Sequence, residues 1–363
     1  ILPINALALI QKTILTKRLD FKIQAIASFS GTLFGFLAAM FLVFKGLGVW
    51  ALVAKTLITQ AINLLILWLA NDWKPSRLFS INSFRELFGF GSKLLVIYLM
   101  AQILRSIFDS IIGKTYSKEK LGNYSNADSM AVIQSEIMTV MLNKVAFSAL
   151  SNFGNSPKLL KENLQKIMSP FVIISFTMSC ILIATAKPLI LAALGEQWIG
   201  AVWYFQMLCI GYSAVILHIQ NQIVMNIAGR SDYFLRTEII KVCLFVPVII
   251  LGIIFGLKAL IISLIVHYWT GFYINSIYTK KLINYGFLLQ IKDIIKPALF
   301  AIGVSAPAFF CDFFANINNF SNILTLTLQF SIALFSAFCI SKIFKVKAYN
   351  QAKKLILNYF RKR

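Results

Sequence analysis

Gly113-Lys-Thr-Tyr-Ser-Lys-Glu-Lys-Leu-Gly-Asn-Tyr124 is a polar turn between two apolar segments, Glu86–Ile112 and Ser125–Leu150. Each segment is longer than the ~20 residues a helix needs to cross a bilayer, so the stretch is a hairpin of two membrane spans. Inside it lie Lys93, Arg105, Asp109, Asp128, Glu136 and Lys144. A charge at the bilayer centre costs at least ~2.5–3.5 kcal/mol on insertion scales, so six of them require a protein-lined or wet surrounding. The hairpin is therefore one wall of a polar interior, and the remaining helices are its frame.

Composition agrees. The chain of 363 residues is 59% hydrophobic and 13% charged, with a mean hydropathy of +0.78. Apolar runs of span length recur throughout, continuous and without the alternation of barrel strands, which gives an all-α polytopic transmembrane bundle. Expected complete spans are 25–44, 49–70, 86–112, 125–150, 167–186, 198–228, 238–255, 259–278, 297–314 and 323–340, after a partial one ending at Gln11. Phe287–Ile295 has the pattern of an interfacial amphipathic segment. The chain opens at Ile1 within an apolar stretch, which reads as a protein lacking its N-terminal part.

The net charge of +22 would suggest nucleic acid in a soluble protein. Its distribution suggests otherwise. Alternate loops, beginning with Lys12–Lys22 and ending with the tail after Ser341, hold 25 Lys and Arg, and the intervening loops hold 6. That asymmetry follows the positive-inside rule and puts the tail in the cytoplasm, facing anionic lipid. Five cysteines lie far apart, without Cys-x-x-Cys or a Cys/His cluster, so neither a metal nor a disulfide framework is expected. No phosphate-binding loop or nucleophile elbow is present in the sequence. No cofactor and no enzymatic activity are expected.

Depth in the hairpin follows from about 1.5 Å per residue. Asp109 and Asp128 each lie four residues inside the turn, Arg105 eight, Glu136 twelve and Lys93 and Lys144 twenty. Antiparallel pairing stacks acid opposite acid, Arg near Glu, and Lys opposite Lys. Two carboxylates at one level favour a shared proton or cation, so Asp109, Asp128 and Glu136 are the candidate ion-coupling groups. Arg105, Lys93 and Lys55, the last inside another span, are the candidate anion-binding groups. Structural ion pairs such as Arg105–Asp109 at i,i+4, and snorkelling of Lys93 and Lys144, are the plainer alternatives. His218 and His267, each within a span, are read first as hydrogen-bonded structure. An Arg-x-Asp-aromatic element at 18–21 and 230–233, each followed by a span, a Gly-Leu turn and a return span, suggests a parallel internal repeat.

Several motifs in order resemble the bacterial polysaccharide flippases of the multidrug/oligosaccharidyl-lipid/polysaccharide exporter superfamily. They are Gly48-Val-Trp-Ala-Leu52, Trp73-Lys-Pro75, Leu87-Phe-Gly-Phe-Gly-Ser-Lys93, Phe108-Asp-Ser-Ile-Ile-Gly-Lys114, Leu121-Gly-Asn-Tyr-Ser-Asn-Ala127, Asn143-Lys-Val-Ala-Phe-Ser-Ala-Leu150 and Ala228-Gly-Arg-Ser231. The family's Asp-x-x-x-Gly aspartate falls on Asp109 and its Gly-x-Tyr on Gly122 and Tyr124. Asp128 stands where an apolar or aromatic residue is usual, and Ala146-Phe-Ser148 lacks the usual proline.

The resemblance implies a two-lobed exporter fold around a cationic cavity, with two extra C-terminal helices. Residues 1–80 would complete an N-terminal lobe, 81–282 form the C-terminal six-helix lobe, 283–341 the two extra spans and 342–363 the basic tail. It implies a flippase moving an undecaprenyl-diphosphate-linked oligosaccharide across the inner membrane for surface polysaccharide, such as O-antigen or capsule. Polysaccharide polymerase and glycosyltransferases would be further partners, and nucleic acid would not. A cation-coupled multidrug or toxin exporter, a lipid II-type flippase and a non-transporting assembly scaffold are the alternatives.

Overall fold

The computed structural model describes residues 2–17, 20–75, 80–154, 156–317 and 320–343; the side chains of Lys93, Arg105, Asp109 and Lys144 are among those outside the description. All regular structure among the described residues is helical. The chain divides into two compact units, residues 1–85 and 86–363.

The first unit holds α1 (Leu2–Lys17), α2 (Phe21–Phe44) and α3 (Trp50–Leu69). Asp20 caps α2, its carboxylate accepting from the Ile23 N–H at 3.4 Å. The turn to α3 needs backbone that only glycine adopts freely, with φ of 76° at Gly46 and 47° at Gly48. Along the pair, Gly31 and Gly35 bring the backbones together. A Cβ on Gly31 would lie 2.6 Å from the Thr59 carbonyl oxygen, and one on Gly35 would strike the Thr59 hydroxyl and lie 2.8 Å from the Lys55 carbonyl oxygen. Such Gly-x-x-x-Gly approach replaces the missing hydrophobic drive between helices in lipid. α1 is tied on by Trp68 Nε1–H to the Leu7 carbonyl (3.1 Å) and the Gln11 amide to the Trp73 carbonyl (3.1 Å).

The second unit begins within α4 (Ile81–Thr115) and continues with α5 (Lys118–Leu150), α6 (Pro157–Ala184), α7 (Ala186–Leu194), α8 (Ala201–Ser213), α9 (Val215–Ile227), α10 (Ser231–Phe255), α11 (Leu257–Ile283), α12 (Phe287–Ile317) and α13 (Asn322–Ile343). Among the described residues eight segments are long and apolar enough to cross a membrane: α2, α3, α6, α8 with α9, α10, α11, α12 and α13. This is a multi-pass membrane protein. The charged hairpin is α4 and α5, of 35 and 33 residues.

Among the described residues three apolar clusters fill the second unit, and two of them run along α5. One, with Phe108, Ile112, Phe205, Leu208 and Leu260, lies toward the α4–α5 turn. The other, with Leu142, Leu150, Leu164, Leu217 and Phe272, lies toward the opposite end of α5. The expected span 198–228 is one candidate span, Ala201–Ile227, with a turn at Ala214 where α8 passes into α9.

The expected interfacial segment 287–295 is instead the first third of α12, which runs unbroken through Pro297 and Pro307. Of its polar side chains, Gln290 and Asp293 bond within the bundle and Lys292 is exposed. Gln290, fully buried, accepts from Gln220 (2.9 Å) and donates to Asn221 Oδ1 (2.8 Å) and the Tyr285 carbonyl (2.9 Å). At the same corner Tyr285 and Gln165 donate to Asp293 Oδ2, both at 2.7 Å. Burial, then that hydrogen bond, pushes the Tyr285 phenol above its ordinary range.

Close approach of α2 and α3 makes a sharp prediction. Gly35→Val forces a side chain into the Thr59 hydroxyl, and overpacking of this kind costs about 1–3 kcal/mol. Purified protein should melt at a lower temperature than wild type; an unchanged midpoint would show that the pair does not depend on this contact.

Candidate functional site

Between the two apolar clusters along α5 lies a cavity of about 380 Å³, walled by α4, α5, α8, α9, α10 and α11. Its apolar wall includes Phe108, Phe245 and Leu264. Its polar wall comprises Tyr124 and Asp128 from α5, Tyr212 from α8, His218 and Gln222 from α9, Glu238 and Lys241 from α10, and His267 and Tyr268 from α11.

Asp128 is 9% exposed and accepts a 2.5 Å hydrogen bond from the Tyr212 hydroxyl. Tyr212 packs on Tyr268, ring centroids 5.5 Å apart. One helical turn before Gln222, His218 Nε2 lies 2.5 Å from the Tyr268 carbonyl oxygen. A carbonyl only accepts, so that nitrogen carries the proton and donates. Gly271 makes room for the ring, since a Cβ there would sit 2.6 Å from His218 Cε1 and 3.0 Å from Lys241 Cδ. The Lys241 ammonium donates to Glu238 Oε1 at 2.5 Å, and Gln222 donates to the same oxygen at 3.0 Å. His267 packs edge-on against Phe245 at 5.3 Å, and its Nδ1 is buried without a hydrogen-bond partner among the described residues.

Chemically, the cavity combines two carboxylates, one ammonium and two imidazoles among apolar walls. Asp128 and Glu238 can each take up a proton or face a cation. Lys241 neutralises Glu238 at rest. A buried ion pair is poor evidence of stability, because desolvation offsets its attraction, so it is better explained by what it can exchange with.

Among the residues proposed from sequence, Asp128 lies in this cavity. The side chains of Arg105, Asp109, Lys93 and Lys144 lie outside the described residues, so the expected Asp109–Asp128 and Arg105–Glu136 stacking does as well. Glu136 is exposed on α5 and does not line the cavity. Lys55 is exposed on α3, in the first unit.

Lys241, inside the expected span 238–255 but not among the candidate site residues, stands eleven residues into α10, 9% exposed and paired. Its signal was the spacing Glu238-x-x-Lys241 inside an apolar run, which puts acid and base on one helical face. Gln222, one turn after His218, is the matching signal on α9.

Residues 1–203 match the family described as polysaccharide biosynthesis protein. The chain belongs to that family. Its charged hairpin and cavity residues up to Asp128 lie within the matched stretch, and α9–α11 lie beyond it. The chain is 26% identical over 222 residues to teichuronic acid biosynthesis protein TuaB of Bacillus subtilis, covering 60% of this chain and 46% of TuaB. It is 25% identical over 249 residues to an uncharacterized membrane protein in the cps region of Klebsiella pneumoniae, covering 61% and 50%. With lipopolysaccharide biosynthesis protein WzxC of Escherichia coli it shares 21% over 182 residues, covering 50% and 37%. The matched stretches thus span about half the length of these relatives or less. Its fold is that of lipid II flippase MurJ in an inward closed conformation, with a TM-score of 0.68, 15% identity, and coverage of 94% of this chain and 71% of MurJ.

Tyr212→Phe should remove the hydroxyl that solvates Asp128 while keeping the ring. Leaving a buried charged acceptor short of a donor costs about 1–3 kcal/mol. The variant should melt below wild type, whereas Tyr204→Phe, whose ring lies elsewhere on α8, should not; equal midpoints for Tyr212→Phe and wild type would remove the bond from the stability of the lobe.

Proposed function

We propose that this protein is a flippase. On this reading it moves an undecaprenyl-diphosphate-linked oligosaccharide from the cytoplasmic to the outer leaflet of the bacterial inner membrane, and it is a transporter and not an enzyme. The observation that carries the reading is the pairing of family membership with a polar, carboxylate-bearing cavity buried among membrane spans. Names of the relatives support the substrate class: teichuronic acid, a cps region and lipopolysaccharide. The fold it shares with a lipid II flippase supports a lipid-linked saccharide as cargo.

In this mechanism the glycan crosses through protein while the lipid tail stays in the bilayer, and the lobes rock to alternate access. Arg105, Lys55 and Lys93 contact the diphosphate, the arginine through paired donors. Asp128 takes the coupling cation or proton, with Asp109 and Glu136 as further candidates. Membrane lipids, a polysaccharide polymerase and glycosyltransferases are its partners, and the basic loops face cytoplasmic headgroups.

One observation favours a second reading, export of cationic drugs or toxins. Among its described groups the cavity holds two carboxylates against one ammonium. We assign that acidic excess to the coupling ion and not to the cargo.

Two experiments decide. In the full-length protein, Asp128→Asn and Arg105→Ala should each fail to complement a flippase-deficient strain, with surface glycan falling and lipid-linked intermediate accumulating. Hydrogen bonds to charged groups contribute ~1.5–3 kcal/mol, so losing the Arg105 contact should weaken transport about tenfold to a hundredfold. Undiminished glycan in Arg105→Ala would take it out of the mechanism, and drug resistance without any glycan effect would favour the exporter. Separately, a fluorescent protein fused after Arg363 should fluoresce in the cytoplasm and alkaline phosphatase at the same place should be inactive; the opposite pair of results would invert the orientation.

A further inference from the structure

Two turns beyond the cavity residue Tyr268, α11 carries an amide that the resting arrangement does not use. Asn275 is 0% exposed, and neither its side-chain oxygen nor its nitrogen has a hydrogen-bond partner among the described residues. A buried amide gives up its bonds to water and here gains nothing in return. Leucine has a similar size and would fill the same space without that penalty.

The register of the α10–α11 hairpin shows what Asn275 can reach. The two helices run antiparallel from the turn at Gly256. A Cβ on Gly271 would lie 3.0 Å from Lys241 Cδ, and the Tyr233 and Tyr278 rings meet at 5.0 Å. One turn from Gly271 toward Tyr278 is Asn275, and one turn from Lys241 toward Tyr233 is Thr237, also 0% exposed. Thr237 has already given its hydroxyl to the Phe234 carbonyl at 2.8 Å. Asn275 therefore stands at the level of Thr237, next in sequence to Glu238, the residue that holds the Lys241 ammonium. A helical turn is about 5.4 Å, within the sweep of the flexible four-carbon lysine stem.

We propose that Asn275 is a second seat for the Lys241 ammonium. In the first seat the ammonium lies on Glu238 Oε1, and in the second it donates to Asn275 Oδ1. Glu238, still held by Gln222, then faces the cavity with its charge uncovered, beside His218, His267 and Asp128. The purpose of the exchange rests on the transport reading: two seats give the lobe two discrete charge arrangements, which a two-state transporter needs. The seat itself does not rest on that reading.

The test is a cycle of variants of the full-length protein, read as melting midpoint. Asn275→Leu in the wild-type background removes an unpaired amide and should raise the midpoint. In Glu238→Gln the ammonium has moved to Asn275, so the same Asn275→Leu change should now lower it, by roughly 2 °C or more. Adding Lys241→Met to Glu238→Gln should return the effect to a rise. Glu238→Gln combined with Asn275→Asp, which places the carboxylate in the second seat, should recover the wild-type midpoint, and serves if Glu238→Gln alone does not fold. An effect of one sign in both backgrounds, or no recovery by Asn275→Asp, overturns the second seat. If the sign reverses but Asn275→Leu still complements fully, the seat stands and its role in transport fails. If the sign does not reverse while Asp128→Asn abolishes surface glycan, the transport reading stands and the seat fails.

Discussion

Hydrocarbon offers no hydrogen bonds, and that constraint decides most of what this protein looks like. Every polar group placed between the faces of the membrane must find its partner on another helix, on its own backbone, or in an enclosed space. In the second unit the partners are specific: Tyr212 for Asp128, Lys241 and Gln222 for Glu238, Tyr268 for His218, and Gln220 with Asn221 for Gln290. Each links different helices except the Glu238–Lys241 pair, which stays on α10. The polar contacts therefore fix which helices are neighbours, a task that apolar packing performs poorly when lipid is as apolar as the core.

The same constraint places the cavity. An apolar cluster lies toward each end of α5, and the polar residues gather where α8 gives way to α9. At that turn the Ala214 N–H reaches back to the Gly211 carbonyl at 3.1 Å, and the Ala214 carbonyl accepts from both Leu217 and His218. The turn thus keeps its backbone groups bonded while the helix passes the polar cavity. Gly271, by having no side chain, lets the His218 ring and the Lys241 stem share one groove on α11. The first unit solves its problem differently, by backbone contact at Gly31 and Gly35 with few polar side chains involved.

Class and span order were legible because hydropathy and charge are read one residue at a time. The site was legible only in part. Asp128 could be found from its depth in an apolar hairpin. Lys241 is hidden because a lysine near the end of a span, close to Arg230 and Arg236, has the sequence look of a cytoplasmic-end cation, and only the three-dimensional neighbourhood shows it paired with Glu238 beside the cavity. Phe287–Ile295 misled for a related reason. An amphipathic helix at a headgroup layer and one whose polar face locks into a partner have the same periodicity, and Gln290 is distinguished only by Asn221, 69 residues away. Tyr212, which completes the Asp128 site from α8, carries no mark in the sequence apart from being a tyrosine inside a span.

Charge segregation then bears on mechanism. A carrier for an anionic lipid needs cations along the route of its diphosphate, yet the described groups of this cavity lean acidic. On the flippase reading proposed here, the two are compatible if binding of cargo and binding of the coupling ion are separate tasks. Carboxylates close to the diphosphate would repel it, whereas enclosed in one lobe they can bind a small cation without competing for cargo. Lys241 fits that division: held on Glu238 it lowers the local acidity without becoming a fixed anion site, and its stem can move without moving a helix. On the reading proposed here, the ion pair on α10 is thus a setting of the lobe and not a brace for it.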